Sequence, residues 1–211
     1  MYTPTAFAET DLATLHAAIE RYSFATLVSS SAAGIEASHL PLLLDRQGGP
    51  NGTLIGHMAR ANQQWRSLAG QEVLAIFTGP HAYVSPTWYA TPNTVPTWNY
   101  VAVHAAGRLQ LVEDGQELLQ MVRDFVTHYE RNMPQPWSID APADFLDNLV
   151  RQIVGFRIEI TRLEGKWKLN QNHPPDRRER VVAALSAQGD ENSLAIAQLM
   201  TATPHRNTSF S

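Results

Sequence analysis

Asn99-Tyr100-Val101-Ala102-Val103-His104-Ala105-Ala106-Gly107-Arg108-Leu109-Gln110-Leu111-Val112 carries the pattern that decides the fold. Val101, Val103, Ala105, Leu109 and Leu111 share one face, while Tyr100, His104, Arg108 and Gln110 take the other. Successive strand residues point to opposite sides of a sheet, so this period of two predicts a long strand with one face against a core. Working outward, Phe24 to Ser30 reads as a strand, with Ile35 to Leu44 as its hairpin partner across Ala32-Ala33-Gly34. Gly48-Gly49-Pro50-Asn51-Gly52 is a turn before a strand from Thr53 to Met58. Glu72 to Thr78 reads as a buried strand, apolar on both faces from Val73 to Phe77, and His81 to Ser85 adds a short one. Gly155 to Leu163 is a further strand, with Phe156, Ile158 and Ile160 inward, and Lys166 to Leu169 a short second piece.

Helical spacing takes over between these runs. Leu12, Leu15, Ile19 and Tyr22 predict a helix near 11–22. A short helix near 62–69 has Asn62 as N-cap and Gly70 as its stop. Asp114 to Asn132 is the clearest helix, striped by Leu118, Val122, Phe125, Val126 and Tyr129. Others are expected near 142–150, 176–187 and 191–201, and Thr203 to Ser211 reads as a loose tail. Residues 86–97 hold Pro86, Pro92 and Pro96 and form a loop too long for a simple connector, which marks it as functional. Six or seven antiparallel strands with inserted helices, and no regular βαβ alternation, argue against a Rossmann-type sheet. The expected class is mainly β with α (α+β), a small closed barrel with peripheral helices.

The 211 residues suit one domain with a helical appendage, and 44% apolar content is enough for a core. The absence of cysteine excludes disulfides, thiolate metal sites and a Cys nucleophile. No apolar run is long enough to span a bilayer, and Met1-Tyr2-Thr3-Pro4 lacks signal-peptide character, so a cytoplasmic protein is expected. A net charge of −4 argues against a nucleic-acid footprint, although Arg157, Arg162, Lys166, Lys168, Arg177, Arg178 and Arg180 crowd one stretch. The eight histidines form no metal-binding spacing, so no metal is expected, and no P-loop, G-x-G-x-x-G or G-x-S-x-G occurs.

Three stretches could carry chemistry. In Gly56-His57-Met58-Ala59-Arg60-Ala61-Asn62-Gln63-Gln64-Trp65 a strand hands over to a helix. Unpaired N–H groups at a helix start and the Arg60 fork suit a phosphate; a plain turn with a solvated Arg is the ordinary alternative. In Val95-Pro96-Thr97-Trp98-Asn99-Tyr100, Thr97 and Asn99 share a face that could bind a polar heterocycle edge, with Trp98 as a stacking surface. The same aromatic residues could equally be core. In Glu164-Gly165-Lys166-Trp167-Lys168-Leu169-Asn170-Gln171-Asn172-His173 the two ammonium groups repel unless an anion offsets them, and Glu164 and water are the ordinary partners.

Together with His39-Leu40-Pro41, Phe77-Thr78-Gly79-Pro80-His81-Ala82-Tyr83-Val84-Ser85-Pro86 and Trp88-Tyr89, these stretches resemble the PaiB-like FMN-binding family, often labelled transcriptional regulators. The resemblance runs from Met1 to about Leu185. It implies a split antiparallel β-barrel over 1–188, followed by a helix and tail over 189–211. It implies FMN as cofactor, held at the interface of a homodimer. It implies FMN contacts from His57, Met58, Ala59, Arg60 and Asn62, from Thr97, Trp98 and Asn99, and from Lys166, Lys168 and Gln171. Asn170-Gln171-Asn172 stands where the family pattern has Ser-Gln-Asn, and no proline follows Asn62. No residue is an obvious catalytic acid, base or nucleophile. The function left standing is a flavin-dependent redox protein or flavin-sensing regulator. The alternatives are a regulator acting on DNA or a partner protein without catalysis, and a binder of haem or another planar cofactor such as pyridoxal phosphate.

Overall fold

A computed structural model describes residues 1–32, 34–203 and 205. In chain order the elements are β1 (Ala8–Glu9), α1 (Leu12–Arg21), β2 (Phe24–Ser31), β3 (Gly34–Pro41), β4 (Leu43–Asp45), β5 (Thr53–Ala59), β6 (Glu72–Val84), β7 (Thr97–Val112), α2 (Gly115–Glu130), α3 (Ala143–Arg151), β8 (Ile153–Lys168), α4 (Pro175–Gln188) and α5 (Glu191–Ala202). Short 3₁₀ helices lie at Thr5–Phe7, Gln63–Ser67 and Pro86–Tyr89. The class is α+β, as the strand and helix patterns predict. The tail expected after Thr203 lies, apart from His205, outside the described residues, as does Ala33 of the expected β2–β3 turn.

The strand order is β3-β2-β6-β7-β8-β5-β4, with β1 beside β8. This path is open, and the closed barrel expected from the strand pattern is corrected accordingly. The reason lies at Pro41-Leu42. The expected single partner strand from Ile35 to Leu44 divides there, because Pro41 has no N–H to donate and the Leu42 N–H turns to the Ser23 carbonyl at 2.9 Å. β3 then pairs with β2, whereas β4 pairs with β5. Elsewhere the expected pieces fuse. Glu72 to Val84 is one strand running through Gly79-Pro80, and Ile153 to Lys168 is one strand running through Gly165.

The chain forms two compact units. The first comprises Met1–Ala18, Thr78–His104 and the described chain from Glu164 onward; the second comprises Ile19–Phe77 and Ala105–Leu163. In the first, Ala82, Val84, Tyr89, Leu169, Val181, Leu185, Ile196 and Met200 form one core, so α4 and α5 cover the strand ends. In the second, Leu118 and Met121 of α2 pack on Val112. Gly107 there lets two strands approach closely, since a Cβ would collide with the Glu159 carbonyl oxygen and lie 2.8 Å from Ile158 Cγ2. Val101, Val103, Ala105 and Leu109 are buried as their spacing predicts. Tyr129, expected in the α2 stripe, is 40% exposed, and Met121 is buried instead. Among the described residues no helix is long and apolar enough to cross a membrane.

Candidate functional site

In the first unit, two of the three sequence stretches meet. β7 begins at Thr97 and β8 ends at Lys168. The Lys168 ammonium donates to Thr97 Oγ1 and, at 2.9 Å, to the Trp98 carbonyl. Half-burial, and then the neighbouring Lys166 charge, hold the Lys168 pKa below the ordinary lysine value. Lys166 is buried; its ammonium donates to the Tyr2 carbonyl at 3.0 Å and lies 5.2 Å from the Tyr100 ring centre. Glu164, the expected acidic partner of the two lysines, accepts instead from the Met1 amine at 2.9 Å.

The neighbouring side chains divide by exposure. Trp98 is 53% exposed, with Tyr83 edge-on at 5.8 Å and His81 tilted at 6.2 Å. Asn99 is fully buried: its amide donates to Met200 Sδ at 3.3 Å, and its Oδ1 has no partner among the described residues. Gln171 is buried too, accepting from the Leu169 N–H at 2.8 Å and donating to the Trp167 carbonyl at 2.6 Å. It fastens the backbone after β8, where Asn170 adopts a left-handed φ of 57°.

In the second unit, the third stretch has a different job than a helix start. Gln63–Ser67 is a five-residue 3₁₀ helix, too short for the dipole of the expected helix near 62–69. Asn62 caps it, accepting from the Gln64 N–H at 3.0 Å, and donates to Ser38 Oγ at 2.8 Å. Buried Gln64 completes the network, accepting from Ser38 at 2.6 Å and donating to Ser29 at 2.9 Å. Arg60 is exposed, yet Nε donates to the Arg151 carbonyl and Nη2 to the Ile153 carbonyl, both at 2.8 Å. A cation there complements the C-terminal end of α3. Nη1 has no partner among the described residues, so part of the fork is uncommitted. His57 is half-buried, edge-on to Phe125 at 5.0 Å, and burial lowers its pKa, which keeps the ring neutral at pH 7. Met58 is buried and Ala59 is exposed.

The predicted residues thus form two groups, one in each unit. Three residues not named as site residues from the sequence, Tyr89, His173 and Arg177, line the same cavity as Thr97 and Lys168. The basic run after Lys168 was the one available signal for Arg177. Among the described residues no cluster of three or more His, Asp or Glu gathers as a metal site.

The donor set fits a flavin. In the first unit Lys168 Nζ and Thr97 Oγ1 suit ring carbonyls and exposed Trp98 offers a flat face; in the second unit, taken by itself, Arg60 Nη1 suits a phosphate.

Comparison with known proteins agrees with this chemistry. Residues 1–162 match the family described as "Putative FMN-binding domain". The chain is 34% identical over 203 residues to Protease synthase and sporulation protein PAI 2 of Bacillus subtilis, covering 95% of this chain and 96% of that protein. Among solved structures it is similar to the FAD and heme binding protein of Mycobacterium smegmatis, with TM-score 0.59, 12% identity and coverage of 83% and 79%. It is also similar to the flavocytochrome Anf3 of Azotobacter vinelandii, with TM-score 0.58, 16% identity and coverage of 76% and 69%. These structural likenesses establish the split-barrel fold.

Proposed function

The chain belongs to the family of FMN-binding domains, and from that premise we propose that it is a flavin-dependent redox protein that holds FMN in a homodimer. The observation that carries the reading is the meeting of Lys168 with Thr97 and Trp98, a cation without a carboxylate partner among the described residues, beside a hydroxyl and an exposed indole.

The assignments follow from the groups left available. In the first unit Lys168 and Thr97 hydrogen-bond the flavin ring and Trp98 covers it; in the second unit Arg60 offers its uncommitted Nη1 to a phosphate. Lys166 stays on its aromatic neighbours and adds positive potential. Asn62, Gln64 and Gln171 act one step back, by holding the backbone that presents these side chains. His57, Met58 and Ala59 bring Arg60 into position at the end of β5. Bound FMN supplies hydride or electron transfer, so the lack of a catalytic triad is no obstacle. The homodimer reading is supported by Tyr83, Val95 and Trp98, which expose 45%, 74% and 53% of their surface in the first unit.

Purification with FMN, absorbance spectroscopy, and anaerobic mixing with NADH or NADPH test the proposal. Oxidised-flavin bands that bleach faster than free FMN are expected. A protein that takes no FMN, or one whose FMN stays inert while it binds a specific DNA fragment at physiological salt, would overturn it.

A further inference from the structure

The first unit holds a cavity of about 320 Å³, within the range of small-molecule sites. Lys168, His173 and Arg177 stand in its wall, and among the described residues no carboxylate does. Neither Lys168 nor Arg177 is ion-paired among the described residues. Phe7 and Pro96 make part of the remaining wall apolar. Two cations in a partly desolvated wall, with no acid to offset them among the described residues, favour an anion.

The cationic groups are held in place. The Arg177 guanidinium lies 5.3 Å from the Tyr89 ring centre, and Nη2 donates to Thr91 Oγ1 at 3.0 Å. Nη1 contacts His173 Nδ1 at 3.0 Å. A guanidinium only donates, so His173 Nδ1 accepts, and the neutral ring then carries its proton on Nε2 as a donor. Burial, then the Arg177 and Lys168 charges, lower the His173 pKa and keep that ring neutral. His173 is also stacked on Tyr89, with ring centres 5.1 Å apart and planes inclined by 16°.

We propose that this cavity binds a second ligand beside the flavin, a small organic carboxylate on a flat apolar body, held by Arg177 with His173 as a further donor and the Lys168 charge nearby. A planar carboxylate matches the guanidinium fork, and an apolar body matches the walls at Phe7 and Pro96. The word "second" rests on the flavin reading; the cavity's preference for an anion does not.

The test titrates the full chain, with and without FMN, by calorimetry, using benzoate, its neutral analogue benzamide, and inorganic phosphate. Benzoate binding in both states is expected, with no binding of benzamide. Arg177→Gln should weaken benzoate by roughly tenfold or more, while FMN affinity stays within about twofold. Arg177→Lys keeps the charge without the fork and should give a smaller loss, which serves if the Gln variant folds poorly. Equal benzoate binding by wild type and variants, or none at millimolar benzoate, overturns the proposal. So does preference for phosphate over benzoate. Competition between benzoate and FMN, with loss of FMN in Arg177→Gln, would assign the cavity to the flavin itself, overturning this inference but leaving the flavin reading intact. A wild-type chain that takes no FMN sinks the flavin reading, and the FMN-free titration still decides the cavity.

Discussion

Arg60 shows how one side chain can serve structure and ligand at once. Two of its donors fasten β5 to the end of α3, so Arg60→Ala should lower stability by about 1–2 kcal/mol, read from the urea midpoint. If Nη1 reaches the phosphate, the same variant should also weaken FMN by about 2 kcal/mol, and Arg60→Lys should recover part of that affinity but little of the stability. A destabilised variant with unchanged FMN affinity would leave Arg60 a purely structural residue. Lys168 has a pH signature. Its folded pKa lies below 10.5, so between that lowered value and 10.5 the unfolded chain binds more protons. Stability of the flavin-free protein should therefore rise with pH through this window, and the contribution should be lost as pH falls through the folded pKa. Flavin affinity should move the opposite way as the ammonium is neutralised. Subtracting the profile of Lys168→Met from that of wild type isolates the effect; identical profiles would refute it.

At the level of elements, Gly107 of β7 lies close against the backbone of β8. A side chain there meets the Glu159 carbonyl, a backbone atom that cannot swing aside. Gly107→Ala should therefore destabilise by about 3 kcal/mol, in the range of overpacked cores. A chemical-denaturation midpoint indistinguishable from wild type would show that the strands can separate locally. The same scale explains why the sequence pattern split two long strands. Gly79-Pro80 and Gly165 are turn or breaker signals locally, yet each lies inside one continuous strand of the sheet. At Gly165 the partner is β1, where Ala8 pairs with Lys166 and Glu9 with Gly165. That two-residue strand is too short to be read from periodicity.

For the whole molecule, assembly is the property to test. Tyr83 packs edge-on against Trp98, and both are exposed, as is Val95 in the loop before β7. If these residues meet a second copy, Trp98→Glu should place an unpaired charge in an apolar contact. Sedimentation should then show wild type as a dimer and the variant shifted to monomer, with FMN affinity reduced in parallel. A wild-type monomer that binds FMN fully would rule out a shared site.

Periodicity alone determined most of the elements. The alternation in β7 and the helical stripe of α2 are local consequences of which side chains must leave water. The motif residues also marked where polar chemistry concentrates, at 57–62, 97–99 and 166–171. Only the tertiary structure decided what each polar group does. Gln171 and Asn62 have the same donors and acceptors in sequence as a ligand-binding amide, but buried backbone N–H and carbonyl groups claim Gln171, while a backbone N–H and the Ser38 hydroxyl claim Asn62. Arg60 is likewise divided between carbonyls and an open donor. Conversely, Tyr89, His173 and Arg177 lie in separate stretches of the chain and come to share one cavity wall only when α4 is brought against the Pro86–Tyr89 segment. Hydrophobic patterning is local and therefore legible, whereas the competition for each hydrogen bond is settled by neighbours distant in sequence.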